Sequence, residues 1–136
     1  KKLSTISGCV QSNDIFVTGG GSIGIPYLVK SNEPLYFKDA DLLWFKKCAG
    51  IDCVYLYTFL TTTLFSKYIK NITHIGTISH YTIEQAKATP IMLPKKDEQI
   101  KVAAFFQDLD SLISLQPREL DMLKNIKKAC FERMFV

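Results

Sequence analysis

The chain has little of what membrane, secreted and metal-binding proteins need. No run reaches the roughly 18 apolar residues that cross a bilayer, and the basic start, Lys1-Lys2, is not followed by an apolar signal-peptide core. None of the four cysteines forms a C-x-x-C pair, and no histidine stands beside them at ligand spacing. We therefore expect a cytoplasmic protein without a membrane span, disulfide framework, metal or cofactor, whose cysteines are buried thiols.

The chain also has only a small excess of charge of one sign, and it has no catalytic motif. The formal net charge is +4; residues 95–136 hold 8 basic and 7 acidic side chains, which leaves 9 and 6 for residues 1–94. Such an excess permits a polyanionic partner without demanding one. The sequence lacks a phosphate-binding loop, a metal cluster and a methyltransferase glycine motif, which disfavours an enzyme acting on nucleic acid.

Apolar residues make up 47% of the chain, which is enough for a hydrophobic core. The first half of the chain has a composition typical of short strands. The sequence predicts strands at Ile15–Thr18, Ile23–Val29, Leu35–Phe37 and Leu42–Phe45. Three successive glycines, Gly19 to Gly21, follow the first strand and predict a tight turn or a close backbone approach.

Helical spacing follows. Residues 51–70 predict one helix, capped by Asp52, although the run Thr61-Thr62-Thr63 lowers its propensity. A capping box from Thr82 to Gln85 predicts a short helix at Ile83–Ala88. The segment Pro90–Pro94 reads as a short apolar strand at an edge, because prolines bound it on both sides.

The C-terminal segment predicts helix from Glu98 onward, with a break near Leu115–Pro117, since proline is tolerated best in a first turn. The long helix either begins at Pro117 or kinks there. After the break, apolar residues recur at alternating spacings of three and four, which is typical of a coiled coil about two heptads long. A helix this short needs a partner surface. From periodicity alone, another chain and the rest of this chain are equally good partners.

These residues resemble the specificity subunit of type I restriction-modification systems. The family shows a short apolar strand ending in Pro, then Glu-Gln, an apolar-faced helix, Leu-Asp, and a long helix ending in Lys-Lys and Met-Phe. The corresponding positions here are Pro94, Glu98-Gln99, Leu109-Asp110, Lys127-Lys128 and Met134-Phe135. The upstream likeness lies in Gly21, Ile23, Gly24, the helix around Tyr55–Leu64 and Gly76-Thr77.

The resemblance implies a non-catalytic protein that reads DNA. Such subunits carry two target recognition domains joined by long antiparallel helices, and each domain reads half of a split target on double-stranded DNA. They dock modification subunits, which methylate adenine, and a restriction subunit joins indirectly. This chain matches one recognition domain and one helix, so we expect half a subunit whose recognition domain is N-terminally incomplete.

The expected fold is therefore α+β, with a mixed or antiparallel-strand recognition domain at residues 1–96. A helical, coiled-coil-like spacer and dimerisation arm follows at residues 97–136. We expect the chain to pair with a copy of itself or with another half-unit through this arm. The predicted interface consists of Leu112, Leu120, Leu123, Ile126, Cys130 and Met134.

Phosphate contacts are expected from exposed loops that offer Lys, Ser, Thr and backbone N–H groups. The candidates are Gly20, Gly21, Ser22, Lys30, Lys67, Lys70, Asn71, Thr73, His74, Ser79 and His80. Each has a structural alternative: Lys67 and Lys70 suit a solvated helix end, the glycines can merely turn the chain, and the histidines can bond locally. A second interpretation of the whole chain is a protein-interaction module, or a silent specificity fragment, that does not bind DNA.

Overall fold

A computed structural model describes residues 10–31, 41–47, 50–73 and 80–134. The chain divides into two compact units, the first ending at Ala103 and the second beginning at Ala104. The described part of the first unit holds a three-stranded sheet with helices, and the described residues of the second, 104–134, belong to one long helix. This is an α+β architecture, as the sequence predicts. No helix in the described ranges is long and apolar enough to span a membrane.

The sheet is antiparallel, with the strand order β2-β1-β3. Strand β1 covers Ile15–Thr18, β2 covers Pro26–Leu28 and β3 covers Leu42–Phe45. The predictions for the first and last of these are confirmed. The predicted strand Ile23–Val29 is shorter in the structure, because residues 23–25 complete the glycine turn: Gly24 N–H donates to the Thr18 carbonyl at 2.8 Å. The predicted strand Leu35–Phe37 lies outside the described residues.

Side chains alternate across the sheet, as strand geometry requires. Ile15 and Val17 face the helices and form a core with Phe65 and Ile69, together with Leu60 and Tyr81. On the opposite face Phe16 stacks on Trp44, with ring centroids 5.8 Å apart, and the Lys46 ammonium lies 4.4 Å from the centre of the Trp44 ring. One face of the sheet therefore packs against the helices and forms the hydrophobic core.

The helix predicted over residues 51–70 is two helices in the structure, α1 (Cys53–Leu60) and α2 (Thr63–Thr73). The expectation of one continuous helix was wrong because threonine hydroxyls compete for the backbone between them. The Thr61 and Thr62 hydroxyls donate to the Thr58 and Phe59 carbonyls, each at 2.7 Å. The start of α1 is as predicted: Asp52 accepts from the N–H groups of Val54 and Tyr55 at 3.0 Å.

The third helix, α3, covers Ile83–Lys87 and begins with the predicted capping box between Thr82 and Gln85. The strand predicted at Pro90–Pro94 is absent from the structure, where these residues join no ladder. Prolines at both ends have no N–H to donate, and the Met92 carbonyl instead accepts the Tyr55 hydroxyl at 2.7 Å. A side chain thus holds the segment that the apolar pattern assigned to a sheet.

The fourth helix, α4, runs without interruption from Lys96 to Met134, a length of 39 residues. The predicted break near Leu115–Pro117 is therefore wrong, since Pro117 lies inside the helix. A proline removes one N–H and crowds the carbonyl four residues earlier, here that of Ile113, but the remaining intrahelical hydrogen bonds of a long helix can outweigh this local loss. Asp97 and Glu98 stand in its first turn, where the helix dipole favours negative charge.

Candidate nucleic-acid interface

The glycine turn, defined here as residues 19–24, is closed by hydrogen bonds at its base. Thr18 N–H donates to the Ile25 carbonyl at 3.1 Å, while the Thr18 hydroxyl donates to the Ser22 carbonyl and accepts from Ile25 N–H at 2.9 Å. Gly21 has φ 65° and Gly24 has φ 81°, a region that side chains disfavour. Gly21 and Ser22 are exposed at the tip. The turn is an ordered loop with its backbone accessible.

One flank of the turn contacts the chain around His80. Gly19 N–H donates to the Asp41 carbonyl at 2.7 Å, and Tyr81 N–H donates to the Gly19 carbonyl at 2.8 Å. A Cβ on Gly20 would lie 3.5 Å from His80 Cε1. The structure therefore brings together two candidates, Gly20 and His80, that are 60 residues apart in the chain.

His80 also pairs with an acid, Asp41, that was not among the predicted DNA contacts. Its Nδ1 lies 2.8 Å from Asp41 Oδ2, with the two side chains 48% and 59% exposed. A carboxylate here repels phosphate, so this flank suits a phosphate less well than a flank with unopposed lysines. No local signal marks Asp41, because its nearness to His80 depends on the sheet.

The other flank of the turn contacts α2. A Cβ on Gly24 would lie 2.8 Å from Ile69 Cγ1, so the Ile69 side chain packs directly against the Gly24 backbone. A groove of about 480 Å³ between residues 23–26 and the start of α2 reaches Lys70. The exposed side chains of Lys67, Lys70 and Asn71 stand on this helix. The candidates of the turn and of α2 thus belong to one packed substructure.

Lys30 lies elsewhere. Because β2 and β3 both run antiparallel to β1, they end where β1 begins, away from the glycine turn. Three paired residues separate the two ends, a distance of about 10 Å at about 3.3 Å per residue. Lys30 follows β2 at that far end, where the exposed Lys46 and Lys47 follow β3. The three lysines form a second basic region, of which only Lys30 was predicted to contact DNA.

The remaining DNA candidates are less informative. Thr73 is half-buried at the end of α2, and its hydroxyl donates to the Lys70 carbonyl at 3.1 Å. His74 and Ser79 lie outside the described residues. In the described ranges no group of three His, Cys, Asp or Glu side chains could hold a metal ion.

The predicted pairing stripe on α4 is exposed along the single chain. We use the name α4 stripe for Leu112, Leu120, Leu123, Ile126, Cys130 and Met134. Leu123 is 61% exposed and Met134 is 75% exposed, and the other members are exposed as well. Large apolar side chains in such a row are typical of a surface that another protein covers.

The fold defines a small α+β domain that continues into a long helix, without a catalytic constellation in its described part. Residues 9–125 match the family model of the type I restriction modification DNA specificity domain. The chain belongs to this family, which confers specificity in type I restriction-modification systems and is non-catalytic, so the resemblance seen in the sequence is confirmed. No curated protein matches the chain.

Proposed function

We propose that this chain reads one half of a split DNA target for a type I restriction-modification complex. The observation that carries the proposal is the family match over residues 9–125, which includes the sheet, the glycine turn and most of α4. In this proposal residues 1–96 form the recognition domain and residues 97–136 form the helical spacer. Methylation and cleavage belong to partner subunits, which the chain directs to a DNA sequence.

The recognition surface is assigned to the glycine turn together with α2. Lys67 and Lys70 supply positive charge beside a turn whose exposed Gly21 and Ser22 offer backbone and hydroxyl groups. These are the groups that bind phosphate oxygens, which position a protein on DNA without specifying its sequence. Base readout then comes from side chains near this surface that reach the groove, such as Asn71 or His80.

The α4 stripe is assigned to pairing. A helix rises about 1.5 Å per residue, so a rod of two paired helices holds two recognition domains at a set distance and leaves the base pairs between them unread. Pairing of two identical chains has two-fold symmetry and requires an inverted-repeat target. Pairing with a different half-unit requires an asymmetric target. The modification subunit docks on the assembled pair, and the restriction subunit joins through it.

The direct test is to co-express the full chain with a modification subunit of its own system and to map N6-methyladenine across the host genome. A new split, inverted-repeat motif is the expected result. An asymmetric split motif would mean that a different half-unit supplies the second domain. No new methylation, while the two proteins still co-purify, would contradict DNA reading by this chain.

The exposed α4 stripe also favours a second candidate, a protein-interaction module that does not bind DNA. Binding measured against salt separates the two candidates. Each phosphate contact releases counterions, so the DNA affinity of a reading domain falls steeply as salt rises. An interaction module would show no measurable DNA binding even at low salt, and would still bind its protein partner through α4.

A further inference from the structure

Gln99 is unusual among the side chains of α4. It is 2% exposed, and within that helix only Ala103 is likewise buried. Its amide is satisfied at both ends: Oε1 accepts the N–H of Asp52 at 2.8 Å, and Nε2 donates to the Pro94 carbonyl at 2.9 Å. A buried amide with both ends paired specifies geometry, because it needs a donor and an acceptor at set positions.

The two partners of Gln99 belong to different parts of the first unit. Asp52 is the N-cap of α1, and its carboxylate accepts from the first backbone N–H groups of that helix. Pro94 ends the segment that precedes α4, and the same segment is held to α1 by the Tyr55 hydroxyl on the Met92 carbonyl at 2.7 Å. Gln99 therefore joins the first turn of α4 to the start of α1 and to the connecting segment. We call Gln99, Asp52 and Pro94 the Gln99 clamp.

Register is the physical consequence of this contact. Moving α4 by one residue rotates its side chains by about 100° and shifts them by about 1.5 Å, which takes the amide away from both partners. The buried Gln99 amide would then lose both partners, and the Asp52 N–H and the Pro94 carbonyl, which are partly buried, would lose theirs, which is unfavourable. The Gln99 clamp thus favours one register of α4 relative to α1 over the registers shifted by one residue.

We propose that Gln99 is a positioning residue that determines the spacing between the two DNA half-sites. The inference rests on the proposed function, in which α4 is the spacer between recognition domains. Because α4 is continuous from Lys96 to Met134, the register that Gln99 sets at its first turn is, in this proposal, the register in which the spacer begins. Gln99 itself contacts no DNA in this proposal.

The test compares the full wild-type chain with Gln99→Met and Gln107→Met, each co-expressed with the modification subunit for genome-wide mapping of methyladenine. Methionine keeps the length of the side chain and removes both hydrogen-bonding ends. Gln107 lies two turns later on α4 and is exposed, which makes it the matched control. Gln99→Glu, which keeps the shape and an acceptor for Asp52 but places a buried carboxylate against the Pro94 carbonyl, is the second variant.

With Gln99→Met we expect unchanged half-site bases and new methylation at targets whose spacer differs by one base pair. The relative use of those targets should rise about tenfold, the change that follows from losing about one hydrogen bond of net preference. Gln107→Met should keep the wild-type spacing. Unchanged spacing in Gln99→Met would overturn the proposal, and so would a uniform loss of methylation at every site in a variant that folds like the wild type.

Two further measurements keep the outcomes distinct. Exchange of the Asp52 amide hydrogen should quicken about tenfold in Gln99→Met, a readout that needs no DNA. If the methionine variant does not fold, Gln99→Glu carries the same expectation for spacing, and wild-type spacing in it would overturn the inference. If the wild-type chain directs no methylation, the proposed function fails and the spacing role fails with it, whereas fast Asp52 exchange in the variant would still establish the clamp as a hydrogen bond.

Discussion

Gly24 and Ile69 are in such close contact that a Cβ atom on Gly24 would lie 2.8 Å from Ile69 Cγ1. The contact joins the glycine turn to α2, and Gly24 has φ 81°. Gly24→Ala places a side chain on a backbone in the left-handed region and also creates a steric overlap with Ile69. We therefore expect the free energy of unfolding to fall by about 2 to 4 kcal/mol. Urea unfolding of the purified chain measures this change.

Two other glycines serve as controls for that substitution. Gly21→Ala has the unfavourable φ but open space around the new Cβ, so we expect a loss of about 1 to 2 kcal/mol. Gly50→Ala also meets nothing within 4 Å, and its φ lies outside the disfavoured range. Equal losses for Gly24→Ala and Gly21→Ala would show that Ile69 moves aside and does not hold the turn.

Lys67 and Lys70 should contribute to the salt dependence of DNA binding. Each lysine that contacts a phosphate adds about one unit to the slope of log affinity against log salt, so Lys67→Ala and Lys70→Ala should each lower it by about one. Lys30→Ala is the control, since Lys30 lies at the other end of the sheet. A reduced slope in the control alone would move the interface to the region of Lys30, Lys46 and Lys47.

Leu123→Glu should disrupt pairing through α4. A leucine that becomes buried contributes about 1.5 to 3 kcal/mol, and glutamate in its place also brings a charge into an apolar seam, so self-association should weaken by at least about tenfold. Asn125→Glu adds the same side chain about 200° further around the helix. Sedimentation velocity of both variants checks this, and an equal effect of the two would place the pairing surface elsewhere.

Tyr81 should make the fold sensitive to alkali. Burial raises the pKa of its phenol above the ordinary value of 10.0, against the opposing effect of its hydrogen bond with Thr89, and a nearby tyrosine, Tyr68, raises it further. The unfolded chain then loses this proton before the folded one does. The stability that depends on Tyr81 is therefore fully present below its unfolded pKa and is lost as pH rises through the raised folded pKa.

Tyr81→Phe removes that proton, so its free energy of unfolding should fall less than that of the wild type as pH rises above the ordinary tyrosine pKa of 10.0. Tyr27→Phe, which changes a tyrosine that is 51% exposed, controls for the loss of a phenol in general. Urea unfolding across the pH range checks the prediction. Parallel curves for wild type and Tyr81→Phe would contradict it.

Pro117→Ala should stabilise α4. An interior proline removes a backbone hydrogen bond and costs about 3 kcal/mol relative to alanine. Thermal melting followed by far-UV circular dichroism should therefore shift upward for Pro117→Ala, and Gln116→Ala should change it little. Lower helicity in Pro117→Ala would contradict this prediction and would mean that a contact of the proline ring stabilises α4.

The sequence predicted well where a side chain acts on its own neighbourhood. Asp52 and Thr82 are short polar residues at helix starts, and both cap as their spacing predicts. Predictions of helix boundaries failed where several local interactions compete for the same backbone groups. The threonine hydroxyls at residues 61 and 62 end one helix before the next begins, and α4 continues through Pro117, although periodicity and proline rules favoured the opposite in each case.

The residues of the candidate site could be predicted from the sequence, but their arrangement in space could not. Gly20, Lys70 and His80 were all predicted from their chemistry, yet nothing in the sequence indicates that Lys70 and His80 flank the turn that contains Gly20. Lys30 has the same chemistry and lies at the opposite end of the sheet. The acid beside His80, Asp41, carried no signal, because a side-chain contact between residues 39 positions apart depends on strand pairing.

By itself the sequence determined the family, the α+β class, the capped helix starts and the apolar stripe of α4, because each is encoded in residue types at short spacings. Only the tertiary structure decided which candidates meet, why Gln99 is buried and where the basic side chains gather. These depend on contacts between residues far apart in the chain, and such contacts exist only once the sheet and helices have packed around a common core.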